Sequence, residues 1–215
     1  MIHIPFPSLS LNSDDFAPRD HYHLQRNYVI PSIHQDGPRS SNPGISMTRL
    51  KDIILTTVEE MGHVNLVINA HGMCDPEGVA LGSGMSSASI EEGGFGDLAG
   101  RIRMIYICAC EVAQTPEGVT FCYDLARLTQ APVIASEVPQ TSGWGDLEFE
   151  WSWAMARMPN DVIDEFEGTT WMFQPDGTRS RFTHTAEAST SGMPYSGCGS
   201  DFGAAVGPLP GRADR

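Results

Sequence analysis

Two short apolar segments of this chain each lead to a reactive side chain. Residues 66–70 precede His71, and residues 104–109 precede Cys110. Short runs of this kind, bounded by small residues, are typical of strands buried in a parallel sheet. If the two strands are neighbours, the imidazole and the thiol meet at the carboxyl edge of the sheet, where open α/β sheets place their sites.

An imidazole beside a thiol points to nucleophilic catalysis. Such a thiol can lose its proton at neutral pH and attack a carbonyl carbon, so we expect Cys110 as nucleophile and His71 as base. Gly72 lacks a side chain, so its backbone N–H can approach a substrate carbonyl closely. Together with the N–H of Cys110 it would form the oxyanion hole. A helix predicted to begin near Pro116 would further favour a thiolate.

Alternating strands and helices are predicted to position these residues. Helices are expected over residues 47–61, 96–101 and 117–129, with strands over 64–69, 102–108 and 132–135. This order predicts a mainly parallel central sheet with right-handed crossovers in a three-layer α/β/α sandwich. Residues 73–94 are predicted to form a loop with a short edge strand over 79–81, and residues 161–166 a helical turn. A β-hairpin is expected around Pro175-Asp176-Gly177-Thr178.

The domain organisation follows from composition. Six prolines in residues 1–44 predict an irregular N-terminal arm, with one short strand over residues 27–33. Residues 45–186 are expected to form the domain that carries the site. Residues 187–215, rich in Ser, Gly and Pro, predict a flexible C-terminal tail.

The two strand ends resemble a known family. Clan CD cysteine peptidases, which include caspases, legumains, gingipains and separases, carry one apolar strand ending in His-Gly and another ending in Ala-Cys. Residues 70–72 and 109–110 match those patterns, and residues 64–150 resemble bacterial caspase-like domains, including the CHAT group. The resemblance implies a caspase-like sandwich with a His71–Cys110 dyad and Gly72 in the oxyanion hole. Cys108 stands where caspases have glutamine, so their aspartate specificity does not carry over.

The substrate is expected to be a protein or peptide cleaved after a basic residue. An acidic pocket would select Arg or Lys through a charge-assisted hydrogen bond. The candidate residues are Asp75, Glu77, Glu137 and Asp146, with Trp144 as an apolar wall.

Composition limits partners and location. Thirteen basic residues against 27 acidic ones give a formal charge of −14, which argues against nucleic-acid binding. No Sec signal and no membrane-spanning run are visible, so a cytoplasmic protein with reduced thiols is expected. Export as a bacterial effector without a Sec signal, and a need for an activating partner, stay open. No cofactor or metal is expected.

Two alternatives compete with the peptidase. One is a catalytically inactive caspase-like module that binds peptides without cleaving them. The other is a zinc-binding protein, because His71, Cys74, Cys108 and Cys110 offer the N and S ligands that Zn²⁺ favours. Against zinc, a C-x-C sequence on a strand points both thiols to one face, whereas tetrahedral sites usually use pairs with two intervening residues. Cys108, inside an apolar strand, and Cys122, on the apolar face of its helix, are expected to be core residues.

Overall fold

The computed structural model describes residues 1–33, 43–74, 77–140 and 161–183. Its strands are β1 (Ile2–His3), β2 (Ser8–Ser13), β3 (Arg26–Ile30), β4 (Val64–Asn69), β5 (Gly72–Cys74), β6 (Glu77–Val79), β7 (Met85–Ser86), β8 (Ile102–Cys108), β9 (Val133–Ser136), β10 (Val162–Ile163), β11 (Thr170–Phe173) and β12 (Arg179–Arg181). Its helices are α1 (Met47–Met61), α2 (Ser87–Glu92) and α3 (Pro116–Thr129), with 3₁₀ turns at Pro18–Asp20 and Phe95–Leu98.

A seven-stranded sheet in the order β12-β11-β9-β8-β4-β2-β3 forms the centre of the described chain. The strands from β9 to β3 are parallel to their neighbours, whereas β11 is antiparallel to β9 and pairs with β12 in a hairpin. This confirms the predicted mixed α/β class, the mainly parallel sheet and the C-terminal hairpin. In the hairpin turn, the Gly177 N–H donates to the Gln174 carbonyl oxygen at 3.1 Å.

The two long helices begin and end where their sequences signal. Ser46 caps α1 by accepting a hydrogen bond from the Arg49 N–H at 3.2 Å, and Gly62 ends the helix with φ of +81°. Thr115 caps α3 in the same way, with Pro116 in its first turn. Both helices bury an apolar stripe against the same side of the sheet.

All the α-helices of the described chain lie on one face of the sheet. The connections β3–α1–β4, β4–α2–β8 and β8–α3–β9 all step across the sheet in the same direction. Because crossovers between parallel strands are right-handed, steps in one direction place their helices on one face. The second helical layer that a three-layer sandwich requires is not found among the described residues.

The opposite face is covered by the N-terminal segment and by the β1–β10 pair. Strand residues Val67, Tyr106 and Ile134 form an apolar cluster there with a covering set, Ile2, Ile4, Tyr22, Leu24 and Ile163. Two expectations therefore need correction. Residues 1–44 supply three strands rather than only an irregular arm with one strand. Residues 162–163 form β10, which pairs with β1 far away in sequence, instead of a helical turn.

The segment after His71 is also more regular than expected. Strands β5, β6 and β7 form a small antiparallel sheet, and Ser86 and Ser89 form a capping box that starts α2. The predicted tail at 187–215 lies outside the described residues. No helix within the described part of the chain is long and apolar enough to cross a membrane.

Candidate functional site

The strands that lead to His71 and Cys110 are direct neighbours. Strands β4 and β8 pair in parallel register, with Asn69 opposite Cys108. His71 and Cys110 each lie two residues beyond that pair, at the same edge of the sheet. Both line one pocket of about 110 Å³. The structure therefore brings together the two residues predicted to form the dyad.

The Cys110 thiol is half-buried and faces the loop that follows β9. The Gln140 N–H donates to Sγ at 3.3 Å, and Sγ in turn lies 3.4 Å from the Gln140 carbonyl oxygen. Burial raises the pKa of the Cys110 thiol; the Gln140 N–H opposes that rise, while the charges of Glu111 and Glu167 add to it. The resting thiol is therefore neutral near pH 7 and needs a base before it can act as a nucleophile.

The chain turns sharply after the thiol. Glu111 adopts φ of +55°, a left-handed conformation uncommon for a residue with a Cβ atom. Glu111 is 8% exposed, and its buried Oε2 has no hydrogen-bond partner among the described residues. Backbone strain and a buried, incompletely paired carboxylate both cluster at functional sites more often than elsewhere.

His71 contacts two side chains from the connection between β2 and β3. Its Nε2 lies 3.6 Å from Asp15 Oδ2, and its ring lies 4.4 Å from the Phe16 ring, centroid to centroid. Strands β2, β4 and β8 are consecutive in the sheet. Their carboxyl ends thus present a carboxylate, an imidazole and a thiol in that order. Asp15 was not predicted as a site residue, because it lies in the segment predicted to be irregular.

Gly72 is packed too closely against the nucleophile turn to carry a side chain. A Cβ atom at Gly72 would lie 2.1 Å from the Cys110 carbonyl oxygen. The Ala80 N–H donates to the His71 carbonyl oxygen at 2.7 Å, which makes Gly72 and Val79 a non-hydrogen-bonded pair. The Gly72 N–H is therefore directed away from β6. An oxyanion hole built from Gly72 and Cys110 stays a prediction.

Several polar side chains that line the pocket bond to one another or to the backbone. The Tyr22 hydroxyl donates to Asp164 Oδ2 at 3.1 Å and contacts the Cys108 thiol. The Asn69 side chain donates to the Asp20 carbonyl oxygen at 2.8 Å. Burial, Cys108 and Asp164 raise the pKa of Tyr22 well above its ordinary value, and burial does the same for Cys108. Neither group titrates near pH 7.

Most of the residues predicted for the substrate pocket lie elsewhere or outside the described chain. Asp75, Trp144 and Asp146 are outside the described residues. Glu137 is not among the residues that line the pocket; it accepts a hydrogen bond from Trp171 Nε1 at 2.9 Å, which lowers its pKa. The acidic residues that do line the pocket are Asp20, Asp164 and Glu165. Nothing in the local sequence marked them, because chain segments distant in sequence bring them to the site.

The other cysteines divide by environment. Cys122 on α3 is fully buried in the apolar cluster beneath the helices, as predicted. Cys108 packs at the edge of the cluster on the other face and also borders the pocket. No group of three or more His, Cys, Asp or Glu side chains that could hold a metal ion is found among the described residues.

Comparison with known proteins gives no relative: no protein family, no curated protein and no solved structure matches this chain. The resemblance to clan CD peptidases therefore stays a prediction from the strand-end motifs.

Proposed function

We propose that this chain is a cysteine endopeptidase that cleaves a protein or peptide substrate through an acyl-enzyme. The observation that carries the proposal is the pairing of β4 with β8, because it makes His71 and Cys110 line one pocket. A caspase-like relationship fits the order and direction of these strands. It implies a second helical layer that the described residues do not contain.

The reaction begins with a neutral thiol. His71 accepts the proton from Cys110 Sγ as the sulfur attacks the substrate carbonyl carbon, and the carbonyl oxygen gains the negative charge. The N–H groups of Gly72 and Cys110 would stabilise that oxyanion. His71 then gives the proton to the leaving amine, and the acyl group stays on sulfur until water releases it.

Asp15 supports the proton transfer in this mechanism. When His71 gains a proton, it becomes a cation 3.6 Å from the Asp15 carboxylate. An opposite charge at that distance stabilises the protonated form of the imidazole. Phe16 packs against the same ring and restricts its rotation. Asp15 therefore acts through His71 and has no contact with substrate in the mechanism.

Cleavage after a basic residue is supported by the charges that line the pocket. Asp20, Asp164 and Glu165 line the pocket, whereas no Lys or Arg side chain does so among the described residues. Carboxylates in a partly enclosed site favour a cationic side chain through charge-assisted hydrogen bonds. Asp164, which lines the pocket, takes the place that was predicted from the sequence for Glu137.

One observation favours the alternative of a binding module without catalysis. Burial raises the pKa of the Cys110 thiol, and its S–H donates to the Gln140 carbonyl oxygen, so the thiol is not ionised in advance. A protein that retained the pocket but never ionised the thiol would bind a peptide and leave it intact.

Cleavage of a peptide library, followed by mass spectrometry under reducing conditions, separates these functions. The wild type should cut after Arg or Lys, and Cys110→Ala and His71→Ala should each abolish cutting. Cys122→Ala and His63→Ala are the matched controls, since both residues lie away from the pocket. A stable peptide complex without any cleaved product would overturn the peptidase and support the binding module.

A further inference from the structure

The loop after β9 is braced around a single side chain, Gln140. Its Nε2 amide donates to the carbonyl oxygens of Val138 at 3.0 Å, Pro139 at 3.1 Å and Glu167 at 3.2 Å. Its Oε1 accepts from the Glu167 N–H at 2.9 Å. The amide of Gln140 thus ties its own loop to the chain that enters β11.

A second set of contacts fixes the loop against the turn that carries the thiol. The Glu111 N–H donates to the Val138 carbonyl oxygen at 3.1 Å, and the Ala113 N–H donates to the Ser136 carbonyl oxygen at 2.9 Å. Gly168 allows the close approach on the other side, because a Cβ atom there would lie 2.4 Å from Val138 Cγ2. Residues 136–140 are therefore held from both sides.

These contacts place the backbone N–H and carbonyl of Gln140 next to the Cys110 sulfur. The Gln140 N–H lies 3.3 Å from Sγ and the Gln140 carbonyl oxygen lies 3.4 Å from it. The contact to the carbonyl stabilises only the neutral thiol, since it needs the S–H proton. The contact to the N–H persists after proton loss and strengthens, because hydrogen bonds to an ionised acceptor are stronger than neutral ones.

We propose that Gln140 is a positioning residue: its side-chain amide holds its own backbone N–H against Sγ, so that this N–H stabilises the Cys110 thiolate when the proton moves to His71. The proposal rests on the proposed function, because it assigns a role in that proton transfer. Other charged groups also act on the thiolate. Glu111 beside it and Glu167 before β11 oppose ionisation. His71 and the carboxylates Asp20, Asp164 and Glu165 line the same pocket, and a positive charge on His71 would favour the thiolate.

The test is the pH dependence of Cys110 alkylation by iodoacetamide, followed by mass spectrometry of the Cys110 peptide. Gln140→Met keeps the length of the side chain but removes all four of its hydrogen bonds. We expect the midpoint of the rate profile to rise by about one pH unit, which slows alkylation near pH 7 by about tenfold. Gln130→Met is the control, because the Gln130 amide bonds only the Arg127 carbonyl at the far end of α3.

A measurement on the wild type avoids any question of misfolding. The backbone amide proton resonance of Gln140 in ¹H–¹⁵N NMR should move downfield as Cys110 ionises. The midpoint of this shift should equal the midpoint of the alkylation profile. If the chemical shift of the Gln140 amide does not change as Cys110 ionises, the proposal is wrong. So would faster alkylation of Gln140→Met at every pH with an unchanged midpoint, since Gln140 would then merely cover the thiol.

Failure of the proposed function gives a different result. If His71→Ala leaves the alkylation profile unchanged, the dyad is wrong. Gln140→Met should then still raise the midpoint, because the contact of Gln140 with Sγ does not depend on His71. If His71→Ala moves the profile and Gln140→Met does not, the dyad stands and the role of Gln140 is wrong.

Discussion

The two faces of the central sheet are built in different ways. On one face, α1, α2 and α3 pack apolar side chains onto β4, β8 and β9. On the other, buried polar groups from β2 and β4 bond to the N-terminal segment beside a smaller apolar cluster. The first face derives stability from burial of apolar surface, and the second from satisfied hydrogen bonds. The difference matters for function because the pocket opens where the second face meets the sheet edge.

The largest loss of stability is expected on the helical face. Phe121 on α3 is fully buried, and Phe121→Ala should lower the free energy of unfolding by about 3–5 kcal/mol through lost transfer energy and a residual cavity. Urea unfolding measures this. Phe6→Ala is the control, because Phe6 is 56% exposed and its loss should cost less than about 0.5 kcal/mol. Equal effects of the two changes would contradict the account of this face.

A smaller loss is expected on the polar face. Asn12 accepts hydrogen bonds from the Tyr22 N–H at 2.8 Å and from the Asn69 amide at 3.0 Å, and donates to the Tyr22 carbonyl at 3.1 Å. Asn12→Ala removes all three bonds and deprives the buried Tyr22 N–H of its acceptor, so it should cost about 2–4 kcal/mol. The Tyr22 carbonyl and the Asn69 amide keep their bonds to Ser10 and to the Asp20 carbonyl. Urea unfolding against the exposed-site control Asn27→Ala tests it. A cost below that of the control would show that water replaces Asn12 readily.

In the proposed mechanism, the segment that covers the polar face also affects proton transfer, because it carries Asp15. Asp15→Asn removes the charge next to His71 and should slow peptide cleavage roughly 10- to 100-fold, with the fall in kcat rather than a rise in KM. Asp14→Asn is the matched control, because Asp14 accepts a hydrogen bond from the Ser32 N–H at 2.8 Å. If the two variants cleave equally fast, Asp15 has no part in the proton transfer.

The last expected effect is a dependence of stability on alkaline pH, which is absent at neutral pH and is shared by both faces. Burial raises the pKa of Cys122 on the helical face and of Cys108 on the other. In the unfolded chain these thiols ionise near pH 9.0, so the stability from keeping them neutral is present below that pH and lost above it. Each thiol should contribute a slope of up to about 1.4 kcal/mol per pH unit.

Urea unfolding between pH 8 and 11 under reducing conditions measures that slope. Cys122→Ala should remove the part of the slope that the Cys122 thiol contributes and leave the part that Cys108 contributes. If the free energy of unfolding of the wild type does not fall above pH 9, these thiols ionise in the folded protein as readily as in the unfolded chain. Burial would then not raise their pKa on either face.

The helical face was largely predictable from local sequence. The predicted bounds of α1, 47–61, and of the two strands, 64–69 and 102–108, agree with the structure, whereas α2 was missed. These signals are local because helices and buried parallel strands repeat over a few residues. The neighbouring strands then brought His71 and Cys110 together without further information.

The polar face was not predictable in the same way. Strand β2 alternates Ser and Leu, yet its serines are buried, since Ser10 Oγ donates to the Tyr22 carbonyl at 2.6 Å. Strand β10 forms only by pairing with β1, which no local pattern signals. Asp15, Asp20 and Asp164 reach the pocket through these long-range contacts. The proximity of His71 and Cys110 could therefore be predicted, whereas the acidic residues that line the pocket beside them could not.

The most direct test of the dyad is covalent labelling of the wild-type chain with a peptidyl acyloxymethyl ketone that carries arginine at the recognition position. The proposed dyad predicts one adduct on Cys110 and a strong loss of labelling in His71→Ala. The acidic pocket predicts little labelling by the matched probe that carries glutamate in place of arginine. An adduct on another cysteine, or equally fast labelling of Cys110 in His71→Ala, would contradict the pairing of these two residues as a catalytic dyad.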